Sequence, residues 1–124
     1  MNTVIIGIGS NIDAETNIQK TLVLLRQLVK VEKLSQLIQT KAVGSIKQPD
    51  FTNGAARITT TMDIHTLKKA LQKLENEIGR DRTQPKFGPR CIDLDIIVWN
   101  GKIVDDDYFS RDFLKKSVDE VMPG

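Results

Sequence analysis

Hydrophobic and polar positions in the first third of the chain predict a strand, a helix and a second strand. The β-branched run Val4–Ile8 ends at Gly9-Ser10-Asn11, a pattern typical of a buried strand followed by a turn. Asp13 is predicted to cap a helix. The apolar residues of that helix recur at helical spacing and are Ile18, Leu22, Leu25 and Leu28/Val29. Roughly Leu34–Thr40 then forms a predicted strand.

The rest of the pattern predicts two strands around a second helix, then a hairpin and a last helix. Phe51–Met62 has strand character, and Asp63 is predicted to cap a helix that ends at Gly79. The apolar face of that helix is Ile64, Leu67, Leu71, Leu74 and Ile78. Cys91–Trp99 is a predicted strand, and Asn100-Gly101 predicts a hairpin into Lys102–Val104. The last helix is predicted from about Ser110 to Met122, with Phe109, Phe113, Leu114, Ser117, Val118 and Val121 at helical spacing.

The predicted order is βαββαβ, followed by a hairpin strand and a helix. This order favours one domain over residues 1–124 with an α+β, ferredoxin-like sandwich, in which helices cover one face of an antiparallel sheet. The other face is then expected to hold a ligand, together with the polar loops Lys41–Asp50 and Arg80–Arg90.

Composition narrows the class of protein. The chain has 124 residues, 40% of them hydrophobic and 27% charged, which is ordinary for a globular domain. A net charge of +2 does not argue for nucleic acid or a membrane surface. Cys91 is the single cysteine, so an intrachain disulfide is impossible. The start of the chain does not match a signal peptide, and a cytoplasmic protein is expected.

Two aspartates on the predicted strand 91–99 carry the strongest chemical signal. Alternate strand residues share a face, about 7 Å apart, so Asp93 and Asp95 are predicted to stand side by side. The apolar residues expected to enter the core opposite them are Ile92, Leu94, Ile96 and Val98. Paired carboxylates suit Mg²⁺ bound together with substrate phosphates. The alternative is an edge strand with an acidic solvent face.

The segment before this strand supplies the complementary charge. Residues 79–90 contain Arg80, Arg82, Lys86 and Arg90, together with Phe87. Guanidinium groups bind phosphate oxygens bidentately. A cationic loop beside an acidic strand favours binding of a nucleoside triphosphate with Mg²⁺, although the loop alone is better explained by a solvated charged surface.

Four segments together resemble the 6-hydroxymethyl-7,8-dihydropterin pyrophosphokinase family. They are Gly9-Ser10-Asn11, residues 48–53 (Gln-Pro-Asp-Phe-Thr-Asn), Leu74-Glu75 before Gly79-Arg80, and residues 87–96 (Phe-Gly-Pro-Arg-Cys-Ile-Asp-Leu-Asp-Ile). The last segment matches a long family signature. The resemblance implies transfer of a diphosphate from Mg·ATP to the hydroxymethyl group of a reduced pterin, with AMP leaving, in folate synthesis.

The resemblance also implies roles for individual residues. It implies that Asp93 and Asp95 hold two Mg²⁺ ions. The implied catalytic residues are Arg80, Arg82, Arg90, Asp93 and Asp95. The implied nucleotide contacts are Gln72, Glu75, Lys86, Phe87, Arg90, Ile96 and Arg111. The implied pterin contacts are Thr40, Val43, Gly44, Phe51, Asn53 and Phe113. ATP and the pterin are the expected partners, and no nucleic acid or membrane is expected. The chain is expected to be a monomer, with a homodimer as the alternative.

Two other functions remain open at this point. A non-catalytic relative that binds nucleotide or pterin is one, because a His-bearing segment that the family uses for nucleotide binding has no counterpart here. A ferredoxin-like nucleic-acid module is the other, and it is disfavoured because only 5% of the residues are aromatic.

Overall fold

A computed structural model describes residues 1–41, 48–79 and 91–123 of the chain. In that part the elements follow the predicted alternation of strands and helices. They are β1 (Asn2–Ser10), α1 (Ala14–Leu28), β2 (Lys30–Leu34), β3 (Ile38–Thr40), β4 (Phe51–Thr60), α2 (Ile64–Ile78), β5 (Asp93–Trp99), β6 (Lys102–Ile103), α3 (Asp107–Ser110) and α4 (Asp112–Val121).

The strands form one antiparallel sheet in the order β2-β4-β1-β5-β6, with β3 paired to β4. The long strands β1 and β4 pair from Asn2 with Thr60 to Ser10 with Thr52 and form the centre of the sheet. This α+β architecture with an antiparallel sheet confirms the predicted class and is compatible with a ferredoxin-like fold.

Each face of the sheet carries its own core. On the first face, alternate β1 residues Val4, Ile6 and Ile8 pack with α1 and α2 through residues such as Leu25 and Leu67. On the second face, Ile5 of β1 packs with Ala55 and with Val118 and Val121 of α4. The second face was expected to stay open for a ligand, but α4 covers part of it.

A bulge in β5 sets which side chains reach the second face. Ile5 pairs with Val98 and Ile6 pairs with Ile96, so Ile97 is an extra residue between them. Ile97 and Val98 therefore both enter the second core, whereas Leu94 belongs to the first. The prediction that Val98 lies opposite the aspartates with Leu94 was wrong, because the bulge shifts the alternation.

Local signals placed several boundaries correctly. The Asp63 carboxylate accepts a hydrogen bond of 2.8 Å from Thr66 N, so this residue caps α2 as predicted. Gly79 ends α2 with a left-handed backbone, φ 108°. Asn100 and Gly101 both have positive φ, 49° and 83°, as the predicted hairpin turn between β5 and β6 requires.

Other boundaries differ from the prediction. Asp13 precedes α1 in a left-handed conformation and makes no side-chain capping hydrogen bond, so its predicted capping role was wrong. The strand predicted over residues 34–40 is interrupted between β2 and β3. The last helix is divided at Arg111, and Phe109 is 68% exposed instead of buried.

Among residues 1–41, 48–79 and 91–123, no helix is both long enough and apolar enough to cross a membrane.

The cap at Asp63 leads to a pH-dependent stability prediction. The hydrogen bonds donated by Thr66 lower the pKa of the Asp63 carboxyl below its ordinary value. A carboxyl whose pKa is lower in the folded state adds stability above its unfolded pKa of about 3.9 and loses that contribution as the pH falls through the folded pKa. Asp63→Ala should therefore melt at a lower temperature than the wild type at pH 7, and the difference should shrink below about pH 4.

Thermal unfolding followed by circular dichroism between pH 7 and pH 3 measures this difference. Asp63→Asn is the matched control, because it keeps an acceptor without the charge. A melting difference between Asp63→Ala and the wild type that stays constant over this range would contradict the capping role.

Candidate active site

The segment of β5 that carries the two aspartates lies at an open edge of the sheet. β6 pairs only with Val98 and Trp99, so in the described part no strand adjoins the outer side of β5 from Asp93 to Ile96. Helix α2 takes over this side. The Glu75 carboxylate accepts a hydrogen bond of 2.7 Å from Leu94 N, and Glu75 itself is only 2% exposed. The alternative raised from the sequence, that the aspartates lie on an edge strand, is therefore correct for this part of β5. The exposed backbone edge is covered by the buried side chain of Glu75.

Asp93 and Asp95 share the second face of the sheet, as the alternation predicted. Asp93 pairs with Gly9 and Asp95 pairs with Gly7 across the β1–β5 ladder. Asp93 is partly buried and Asp95 is exposed. Because Gly9 has no side chain, the backbone of β1 leaves space beside Asp93, whereas Leu114 fills the space at Gly7 beside Asp95.

Two cavities meet at this acidic pair. The larger, about 420 Å³, lies between α2 and the edge of β5. The smaller, about 60 Å³, lies on the second face beneath the α3–α4 segment. Asp93 and Asp95 line both cavities. Groups bound in the two cavities would therefore meet at the carboxylates.

The larger cavity contains three residues predicted to contact a nucleotide, Gln72, Glu75 and Ile96. Sequence reasoning missed four other lining residues, Ile64, Lys68, Val104 and Asp105. Val104 reaches the cavity because its N–H donates to Ile97 O at 2.8 Å, which holds the chain after β6 against β5. Lys68 had a signal in the sequence, since it lies one turn before Gln72 on the same helix face.

The smaller cavity brings together Asn53, Arg111 and Phe113, three residues that are far apart in the sequence. Gly9 forms part of its floor, and a Cβ added at Gly9 would lie 3.0 Å from Asn53 Oδ1. A side chain at this position would thus displace the Asn53 amide. Thr40 and Phe51 do not line this cavity but adjoin residues that do: Thr40 accepts a hydrogen bond from Asn53, and a Cβ added at Gly9 would lie 4.0 Å from Phe51 Cδ1.

Asn53 is held in a defined orientation. Its Nδ2 donates a hydrogen bond of 2.6 Å to Thr40 Oγ1. Gly9 of β1 pairs with Asn53 of β4 on one side and with Asp93 of β5 on the other. The three residues therefore lie in one row across the sheet, with Gly9 between the amide and the carboxylate. With strands about 4.8 Å apart, Asn53 and Asp93 are separated by about 10 Å at their Cα atoms.

The turn after β1 ties neighbouring segments to this row. Ser10 Oγ donates to Cys91 O at 2.6 Å, which anchors the residues that lead into β5. Asn11 Nδ2 donates to Gln48 Oε1 at 2.7 Å and to Pro49 O at 3.0 Å. Both side chains are buried. The Gly9-Ser10-Asn11 motif therefore holds both loop ends next to the candidate site.

Arg111 lies at the junction between α3 and α4, where its carbonyl accepts the first backbone hydrogen bonds of α4. Its Nε lies 3.8 Å from Asp107 Oδ2, and both side chains are about half exposed. Both residues line the smaller cavity with the acidic pair. A screened pair of this kind contributes little to stability, so Arg111 stays available for an anion.

Seven predicted site residues lie outside the described residues. They are Val43, Gly44, Arg80, Arg82, Lys86, Phe87 and Arg90. Their expected roles remain predictions.

The acidic pair offers oxygen ligands of the kind that Mg²⁺ prefers. Within residues 1–41, 48–79 and 91–123, no group of three or more His, Cys, Asp or Glu side chains is arranged for a metal ion. The described residues therefore do not form a metal site in which protein side chains supply all the ligands. Two carboxylates beside open space fit Mg²⁺, which commonly binds one or two carboxylates together with water and substrate phosphates.

The buried acid of α2 gives a testable stability prediction. Glu75→Ala removes the acceptor of the Leu94 N–H, and a buried donor left without an acceptor costs about 1–3 kcal/mol. We expect the free energy of unfolding in urea to fall by that amount. Glu75→Gln keeps an acceptor oxygen and should lose less.

Glu77→Ala is the matched control, because Glu77 is exposed on the same helix. Equal unfolding free energies for Glu75→Ala and Glu77→Ala would mean that Glu75 does not hold the edge of β5.

Comparison with known proteins gives a consistent set of matches. A family model described as 7,8-dihydro-6-hydroxymethylpterin-pyrophosphokinase matches residues 5–123. A 2-amino-4-hydroxy-6-hydroxymethyldihydropteridine pyrophosphokinase of Bacillus subtilis is 40% identical over 102 residues, covering 80% of this chain and 60% of the relative. A protein of the same name from Aquifex aeolicus is 33% identical over 105 residues, covering 84% and 65%. A folate synthesis bifunctional protein of Arabidopsis thaliana is 36% identical over 106 residues, covering 83% of this chain and 22% of that protein. The chain thus spans less than two thirds of the length of these relatives.

Proposed function

Because the chain belongs to the 7,8-dihydro-6-hydroxymethylpterin-pyrophosphokinase family, we propose that it transfers a diphosphate from ATP to the hydroxymethyl group of the reduced pterin. The other product is AMP, and the reaction is a step of folate synthesis. The resemblance predicted from the sequence is confirmed by the family match and by relatives at 33–40% identity.

One observation supports this function above the others: the acidic pair lines both cavities. A two-substrate transfer needs its donor and acceptor to meet at a point where negative charge is neutralised. We assign the larger cavity to the nucleotide and the smaller cavity, with its neighbouring strand edge, to the pterin.

On the pterin side, the proposal gives each residue a physical task. Asn53 presents an amide to the polar edge of the heterocycle, in the orientation that Thr40 holds. Phe51 and Phe113 provide aromatic surfaces for its two faces. The bare backbone of Gly9 lets the ring approach the sheet. The hydroxymethyl oxygen, directed towards Asp93 and Asp95, attacks the β-phosphorus, so no protein nucleophile is needed.

On the nucleotide side, Gln72, Glu75 and Ile96 form one wall of the larger cavity. The proposal keeps Arg111, a predicted nucleotide contact that lines the adjoining cavity, as a cation for the phosphates. It also retains Arg80, Arg82, Arg90 and Lys86 as phosphate ligands, and Phe87 as a contact of the base. These last five assignments derive from the resemblance and from the chemistry of guanidinium and ammonium groups.

Asp93 and Asp95 would hold Mg²⁺, with two ions proposed, as the donor set permits. When bound, such ions neutralise phosphate charge and orient the reacting groups. The chain's own contribution is to fix the two carboxylates at one strand face through the β1–β5 register. A monomeric, cytoplasmic protein that binds neither nucleic acid nor membrane is part of the same proposal.

The activity can be tested directly with purified protein, Mg·ATP and the reduced pterin, by measuring AMP. We expect AMP to form in proportion to the diphosphorylated pterin. Binding of both substrates without any AMP would contradict the enzymatic function and support the non-catalytic relative instead.

Asp95→Ala tests the role of the acidic pair. Loss of a carboxylate that holds a metal removes several kcal/mol of charge stabilisation, so we expect kcat to fall roughly a hundredfold or more. Glu77→Gln, an exposed acid on α2, is the control and should keep wild-type kcat. A kcat for Asp95→Ala near that of the wild type would contradict the metal assignment.

Asn53→Ala tests the pterin assignment. Removal of an amide that hydrogen-bonds the heterocycle should raise the pterin Kd about tenfold, while the Kd for ATP stays unchanged. Thr59→Ala, near the opposite end of the same strand, is the matched control. Calorimetric titration with each substrate separates the two effects, and equal weakening of ATP and pterin binding would count against a pterin-specific role.

A further inference from the structure

The larger cavity contains a lysine to which neither the sequence reasoning nor the proposed function gives a role. Lys68 lines this cavity from α2, together with four carboxylates, Glu75, Asp93, Asp95 and Asp105. In the part of the chain that the structure describes, Lys68 is the one cationic residue in the cavity wall.

The four carboxylates around Lys68 do not engage it. No ion pair within 4.0 Å and no hydrogen bond of its ammonium group is present among the described residues. The nearest acid in chain order beyond β6, Asp105, instead accepts the N–H of Asp107 at 2.9 Å, which starts α3. The ammonium of Lys68 is thus free to bind a ligand.

The position of Lys68 along α2 relates it to the acidic pair. Glu75 lies beside Leu94, the residue between the two aspartates, because its carboxylate accepts a hydrogen bond from Leu94 N. Lys68 precedes Glu75 by seven residues on the same helix face, which places it about 10 Å away along the helix axis. Ile64 and Val104 lie at this far end of the cavity.

This layout fits one orientation of a nucleotide. The phosphates to be transferred belong at Asp93 and Asp95, and the base belongs at the apolar end formed by Ile64 and Val104. The α-phosphate then lies between them, within the range of the flexible Lys68 side chain. An anion in a cavity lined by four carboxylates needs cations that face it, and Lys68 would add one at the α-phosphate to those already proposed for the phosphates at the acidic pair.

We propose that Lys68 binds the α-phosphate of the nucleotide, the phosphate that remains in AMP. This inference depends on the proposed function, since it assumes that the larger cavity takes ATP. Lys68 has three N–H donors and no acceptor, so it suits a phosphate oxygen. In the reaction, the bond between the β-phosphorus and its bridging oxygen to the α-phosphate breaks. The electron pair stays on that oxygen, and Lys68 faces the resulting charge on AMP.

Calorimetric titration of Lys68→Met with AMP, ATP and adenosine, in the presence of Mg²⁺, tests the proposal. The substitution keeps the apolar stem and removes the charge. We expect the Kd for AMP and for ATP to rise about tenfold, because a hydrogen bond to a charged group is lost, whereas the Kd for adenosine should change less than twofold. Lys68→Arg should retain most of the affinity for AMP.

Lys73→Met is the matched control. Lys73 lies on the same helix but lines a groove between α1 and α2, so its removal should leave all three affinities unchanged. Steady-state kinetics adds a second readout: the KM for ATP should rise in Lys68→Met, and the KM for the pterin should not.

The outcomes separate this inference from the proposed function. If the wild type binds ATP and forms AMP but Lys68→Met binds AMP equally well, the assignment of Lys68 is wrong and the proposed function stands. Loss of adenosine affinity equal to the loss of AMP affinity would also overturn the phosphate contact. If the wild type binds neither ATP nor AMP, the proposed function itself fails.

Discussion

The register between β1 and β5 is the constraint on which the candidate active site depends. It places Gly9 opposite Asp93 and Gly7 opposite Asp95. Any side chain at Gly9 would meet Asn53 Oδ1 at 3.0 Å, and one at Gly7 would meet Leu114 at 3.2 Å. A slip of one residue would turn both carboxylates into the first core. The two glycines thus have different roles. The missing side chain at Gly7 allows Leu114 of α4 to pack against the sheet, whereas the missing side chain at Gly9 leaves only backbone at the floor of the smaller cavity.

The acidic pair can serve two cavities because β5 is an edge strand only where it carries the aspartates. β6 covers Val98 and Trp99 and then ends, and the side chain of Glu75 takes up the Leu94 N–H. A longer β6 would have filled the larger cavity with another strand. The buried Glu75 carboxylate supplies the hydrogen-bond acceptor that a neighbouring strand would otherwise provide. Because a single side chain does this, the larger cavity beside β5 stays open.

The sequence predicts the parts of this arrangement that depend on strict periodicity or on turn chemistry. Period-two alternation placed Asp93 and Asp95 on one face, and Asp63 and Gly79 marked the ends of α2. The bulge at Ile97 was not predictable, because the apolar run 96–98 contains no polar residue that reveals which side faces which core. Lys68 was missed for a similar reason, since Lys68-Lys69 has the pattern of an exposed helix surface. The roles of Arg80, Arg82 and Arg90 remain predictions.

The start of α4 carries residues proposed to contact both substrates: Arg111 the phosphates and Phe113 the pterin. Its first residues follow Arg111, which lines the smaller cavity with Phe113, while Val118 and Val121 are fully buried against the second face. Arg57 of β4 donates to Val121 O at 2.9 Å and fixes the far end of the helix. At the cavity end, Leu114 packs against the second core beside Gly7, and the Arg111 side chain forms a half-exposed pair with Asp107. The buried residues of α4 therefore hold Arg111 and Phe113 at the smaller cavity. Only the screened pair with Asp107 has to break for the Arg111 guanidinium to face an anion.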